Sequence, residues 1–131
     1  MNGNLETLGY LHDATVIGIR FTMANDGKRR VAIECICHED AGFDLWNGKR
    51  LEVLLDDVRL LEQMLYGFTS SREEVSGLVF SLPDAMEQEM ERLQKLGIDC
   101  SGIKFELDFQ SGSFLRGVCR QIDVHVESGE E

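Results

Sequence analysis

The strongest constraint on this chain is a repeated two-residue alternation of apolar and polar side chains, interrupted by one clear helical period. Ile17, Ile19, Phe21 and Met23 alternate with Gly18, Arg20 and Thr22; after Asn25-Asp26-Gly27 the alternation resumes as Val31, Ile33, Cys35 and Cys37. A repeat of two places each apolar row on one face of a strand. The runs at 14–23 and 29–38 therefore predict an antiparallel hairpin with both rows on one core. Val16 and Ile36 add apolar side chains to the opposite face, which asks for partial cover there. Near the other end, Ile103, Phe105, Leu107 and Phe109 alternate with Lys104, Glu106 and Asp108, turn through Ser111-Gly112-Ser113, and return over 114–126. That return is longer than most strands, so a bulge or bend is expected near Gly117.

Between these hairpins, Asn47-Gly48 suits the positive backbone angles of a two-residue turn and predicts a second hairpin from 43–46 and 49–55. Val58, Leu61, Leu65 and Phe68 then recur at helical steps with Asp56 or Asp57 as a cap, predicting a short helix at about 57–66. The run Leu78-Val79-Phe80 within 75–82 fits a central strand buried on both faces, although a core helix segment would show the same run. Pro83 opens the clearest helix, 84–96, with Met86, Met90 and Leu93 on the face turned to the sheet and Gly97 as the stop. Asp84 and Glu87 lie near its positive end and Arg92 and Lys95 near its negative end.

The sum is an α+β domain whose mainly antiparallel sheet has about six to seven strands built from hairpins, with the 84–96 helix packed on it. A chain of 131 residues buries a real core, and no Pro/Gly/Ser-rich linker or internal repeat divides it, so 1–131 reads as one domain. The first ten residues are expected to fray and 127–131 to form a mobile acidic tail.

Thirteen basic against 24 acidic residues give a formal charge of -11. That balance opposes nucleic-acid and anionic-membrane binding and favours a basic protein partner. The first twenty residues lack a basic start followed by an apolar run, and no stretch nears the roughly 20 apolar residues that span a bilayer. A cytoplasmic setting is expected, with the four cysteines as reduced thiols.

The candidate sites each have a plainer explanation beside them. His12-Asp13 suggests an imidazole oriented by a carboxylate, but on a strand neighbouring side chains project to opposite faces, which favours a structural role. Cys35, Cys37 and His38 include zinc-type ligands, yet strand geometry sets the thiols about 6.6 Å apart and turns His38 away. Buried thiols and no metal site are the expectation, and His125 reads as a half-exposed surface histidine. Asp56-Asp57 and Glu73-Glu74 read as solvated turn and cap residues. No phosphate loop, GxSxG, HExxH or calcium loop occurs, so no catalytic residue is assigned and no cofactor is expected. Glu39, Asp40 and Asp44 surround Phe43 and Trp46, the composition of a partner-binding patch with an aromatic anchor. The alternative is that both aromatics pin the hairpin to the core.

Leu11-His12-Asp13-Ala14-Thr15-Val16-Ile17, followed by a hairpin, an acidic middle, and a last strand pair carrying Cys119 before Ile122-Asp123-Val124, resembles small bacterial immunity proteins of polymorphic toxin systems. The resemblance implies a non-enzymatic cytosolic inhibitor that binds a cognate toxin, with no catalytic residues to transfer. The leading expectation is thus a protein-interaction domain for a basic partner. The alternatives are a small enzyme using His12 or His38 as base, and a small-ligand-binding or structural module. An exposed edge strand would also offer a route to a homodimer.

Overall fold

The computed structural model describes residues 8, 10–39, 45–64 and 73–127. In chain order the elements are β1 (Thr15–Met23), β2 (Arg29–Ile36), β3 (Arg50–Met64), β4 (Glu73–Val79), α1 (Asp84–Lys95), β5 (Ile103–Phe109) and β6 (Phe114–Val126). All strand pairs are antiparallel, and the sheet closes into a barrel in the order β1-β2-β3-β6-β5-β4. This is the α+β architecture expected from hairpin periodicity, with closure as the added feature.

The first hairpin pairs its apolar rows as predicted, Ile19 opposite Ile33 and Phe21 opposite Val31. A bulge between Val16 and Gly18 changes the phase, so that Val16 enters the core opposite Cys35 while Ile17 points out. Alternate side chains of the other strands complete the interior, among them Leu51, Val53, Leu55, Phe105, Leu107, Leu115 and Ile122. Among the described residues, one cavity within this core is lined by apolar side chains and measures about 20 Å³. Leu8 and Leu11 join this core, so the fraying expected over the first ten residues does not extend to Leu8.

The short helix expected at about 57–66 is replaced, as far as Met64, by the second half of β3; 65–66 lie outside the described residues. The misleading helical spacing has a strand cause. Leu55 faces the core opposite Ile122, and Val58 faces it again opposite Cys119. Asp57 between them adopts φ 53, and the register shifts between Val58 and Leu60. The resulting steps of three mimic a helix. Gly117, where a bend of β6 was expected, lies opposite Leu61, and a Cβ there would come within 1.9 Å of the Leu60 carbonyl oxygen. The bulge therefore sits on β3, and glycine lets β6 follow it closely.

Two other strand expectations are corrected. Leu45 and Trp46 lie in a turn with Asn47 and Gly48, and β3 pairs instead with β2; Phe43 and Asp44 lie outside the described residues. Leu78-Val79-Phe80 is not buried on both faces, since Val79 and Phe80 are exposed. Helix α1 follows Pro83 as predicted and lays Met86, Met90 and Leu93 on Leu60, Val118 and Cys100 outside the barrel. Gly97, at φ 85, ends the turn with its N–H donated to the Gln94 carbonyl. Of the tail expected at 127–131, Glu127 donates its N–H to the Arg50 carbonyl, and 128–131 lie outside the described residues.

Candidate partner-binding surfaces

One end of the β1–β2 hairpin carries the segment singled out for its acids. Its loop folds back on the sheet through Gly48 N–H to the His38 carbonyl, 3.1 Å, and Cys37 N–H to the Lys49 carbonyl, 3.0 Å. Trp46 is only 6% exposed and packs with the barrel core, whereas neighbouring Leu45 is exposed. A displayed Trp46 anchor is therefore not what the fold provides. Glu39 is exposed on this loop, and Asp40, Phe43 and Asp44 lie outside the described residues.

Strand register gathers more acids here. Glu34 and Glu52 face each other across β2 and β3, and His125 pairs with Glu52 from β6. Arg50 bridges Glu34 at 3.7 Å and Glu127 at 3.5 Å, while Arg20 holds Glu52 at 2.6 Å and His125 stands 3.9 Å from it. Exposed Ile36 and a shallow depression of about 260 Å³ lined by Thr15, Ile36, Cys37, His38, Glu39 and Gly48 complete the surface.

His12 and Asp13 lie in the turn before β1, not on a strand, so the opposite-face expectation is overturned. His12 Nδ1 is 3.2 Å from Asp13 Oδ2, with both side chains largely solvated. Asp13 adopts φ 68, donates its N–H to the Val75 carbonyl and accepts Gln110 Nε2 at 3.1 Å. Those bonds clip the start of β1 to β4 and the end of β5. Burial pushes the Cys35 thiol up to about 12 and the Cys37 thiol up to about 11, so neither supplies a thiolate near neutral pH. Burial likewise raises Cys119 to about 12. Among the described residues, no group of three or more His, Cys, Asp or Glu could hold a metal ion, and no helix is long and apolar enough to cross a membrane.

The other end of the same hairpin holds a surface that the acidic composition conceals. Phe21, Thr22 and Met23 of β1, Arg29, Arg30 and Val31 of β2, and Val58, Arg59, Leu60 and Leu61 of β3 line a cleft of about 340 Å³. Arg30 is fixed across the sheet by Asp56, at 3.2 and 3.4 Å, and Arg59 by Asp57 at 3.1 Å. Asp99 adds a looser contact to Arg59 at 3.8 Å and is held by Arg120 at 2.7 Å. The Ser101 backbone N–H, then its hydroxyl, and then the two arginines keep the Asp99 carboxyl below its ordinary range. The sequence signal that could have revealed this cleft is Lys28-Arg29-Arg30, a basic run in an acidic chain directly after a turn.

Comparison of the chain with family profiles, curated proteins and solved structures gives no match.

Proposed function

We propose that this is a non-enzymatic protein-interaction domain, of the immunity-protein kind, that holds a basic polypeptide against the acidic end of its barrel. The observation that carries the reading is how the cations are spent. Arg20, Arg30, Arg50, Arg59, Arg116 and Arg120 all lie against carboxylates, and at this end Glu34, Glu39, Glu52 and Glu127 outnumber the two arginines, Arg20 and Arg50, that three of them share. Exposed Ile36 and Leu45 on the end that carries Glu34, Glu39, Glu52 and Glu127 supply the apolar centre and charged rim of an interface. Four free buried thiols suit a cytoplasmic setting. Closure leaves an edge-paired homodimer less support, because β1 meets β4 at Thr15–Glu74 and Val16–Glu73.

The test starts with capture on the immobilised full chain at low and high salt, followed by charge reversal. A stoichiometric Lys/Arg-rich polypeptide is expected to bind at low salt and to weaken at least about tenfold with Glu34→Lys, Glu39→Lys and Glu127→Lys combined. Glu89→Lys with Glu91→Lys on α1 should leave binding nearly unchanged. Equal loss from both sets, or no such polypeptide, counts against the proposal. The short His12–Asp13 contact favours a second reading, an enzyme with His12 as general base. Turnover abolished by His12→Asn in a folded protein would replace the first reading with it.

A further inference from the structure

We propose that the cleft between the ends of β1 and β2 and the middle of β3 binds a small amphiphilic carboxylate, with its apolar tail on Phe21, Met23 and Leu61 and its carboxylate on Arg29. The cleft, at about 340 Å³, falls at the lower end of ordinary ligand clefts, roughly 300–1,000 Å³. It therefore suits a single short chain. Phe21 is 46% and Met23 63% exposed, an unusual cost for neighbouring residues of one apolar row unless something covers them.

Charge specifies the other half of the ligand. Arg30 and Arg59 are locked by Asp56 and Asp57, and the unusual backbone of Asp57 helps set that wall. Arg29 differs. Among the described residues its guanidinium has no ion pair or hydrogen bond, in a chain with 24 carboxylates. An exposed guanidinium left free beside an apolar floor is complementary to a carboxylate on a hydrocarbon tail, through charge-assisted hydrogen bonds. A cationic ligand would meet the locked arginines. This site lies at the opposite end of the hairpin from the acidic surface and does not depend on it.

The experiment is a titration of the full chain with octanoate, octanol and octyltrimethylammonium, followed by amide chemical shifts. Octanoate is expected to saturate with a dissociation constant on the order of 0.1–1 mM, a range typical of about ten non-hydrogen atoms. It should shift Phe21, Met23, Arg29 and Leu61 together. Arg29→Ala should weaken it about fivefold, and Met23→Glu should weaken it more. Both side chains are exposed, so the variants should keep the native spectrum. If Met23→Glu perturbs the fold, Arg29→Ala alone decides. Octanol or octyltrimethylammonium binding as tightly as octanoate would overturn the proposal, as would octanoate shifts confined to other residues or indifferent to Arg29→Ala. Binding only to anionic phospholipid vesicles, with no response to monomeric octanoate, would also overturn it. Because neither variant touches the acidic end, capture of a basic partner should survive both.

Discussion

The barrel wall is zipped very unequally at two of its seams. β3 and β6 pair from Leu51–Val126 to Met64–Phe114, whereas β1 and β4 meet at Thr15–Glu74 and Val16–Glu73 among the described residues. The long seam bends through Asp57 and the Val58–Leu60 bulge, where Asp57 and Arg59 have no register partner, and resumes at Leu60–Val118. The short seam relies on clips: Asp13 N–H to the Val75 carbonyl, Val75 N–H to the Ala14 carbonyl, and Gln110 between Asp13 and Glu74. One seam is a spine and the other a latch. The difference teaches where closure is won, because closing a barrel needs one long pairing to set the curvature and only a few bonds to finish it. Amide exchange should read this directly, slowest along β3 and β6 and fastest at Thr15, Val16 and Glu74.

The largest expected effect breaks the spine. Gly117→Ala would drive a Cβ into the Leu60 carbonyl, with backbone of β3 on the other side of the clash. A loss of about 3–5 kcal/mol, or failure to fold, is expected in denaturant unfolding. A well-folded variant with unchanged midpoint would show that the close approach of β3 and β6 is not as described. Trp46→Ala comes next, at about 3–4 kcal/mol, because it removes a large buried ring from the core. The check is its pattern: stability should fall while partner affinity, measured well below the unfolding midpoint, stays nearly unchanged.

The latch should break more gently. Asp13→Ala places a Cβ-bearing residue without a local acceptor at φ 68 and deletes the Gln110 bond. About 2 kcal/mol is expected. Asp13→Gly removes the conformational strain and loses only the bond, so it should cost less than Asp13→Ala. Equal costs would put the whole effect in the hydrogen bond. Faster exchange confined to the amides of residue 13 and Val75 in both variants would confirm that the latch opens without the spine.

The spine and the latch were not equally legible in the sequence. The alternation at 103–109 and the helix after Pro83 were readable because burial follows the simple period there, whereas β6 steps by three on its core face from Cys119 to Ile122. Around Leu55, Val58 and Leu61 the core face advances by three residues, and a strand that changes phase cannot be told from a helix by periodicity. Closure was invisible because it depends on a few backbone bonds of Asp13 and Val75, which carry no side-chain pattern. The acidic loop was legible as composition, but which of its two readings Trp46 follows was not: it packs into the core while Leu45 beside it is exposed. A tight turn decides which of two adjacent apolar residues points in, and that choice is made by packing. The cleft stayed hidden because Phe21 and Met23 continue a perfect alternation; only the ends of the strands leave them uncovered.

The smallest predicted effect sharpens the account of the sheet's outer surface at β5, between spine and latch. Burial first, then the charge and hydrogen bond of Asp108, push the Glu106 carboxyl above its ordinary range, against the opposite pull of Arg116. A carboxyl whose folded pKa is raised binds its proton more tightly when folded. It therefore penalises the fold above that pKa, and the penalty fades as pH falls through it toward the ordinary glutamate value. Asp108→Asn removes the like charge while leaving Arg116 3.5 Å from Glu106. At neutral pH it should stabilise the domain by about 0.5 kcal/mol, the scale of surface charge pairs. The gain should shrink as pH falls toward and below the ordinary glutamate range, where Glu106 takes up its proton and the repulsion is lost. A constant gain across that range would trace it to strand propensity, since pairing of the two carboxyls predicts a gain that disappears with the charge.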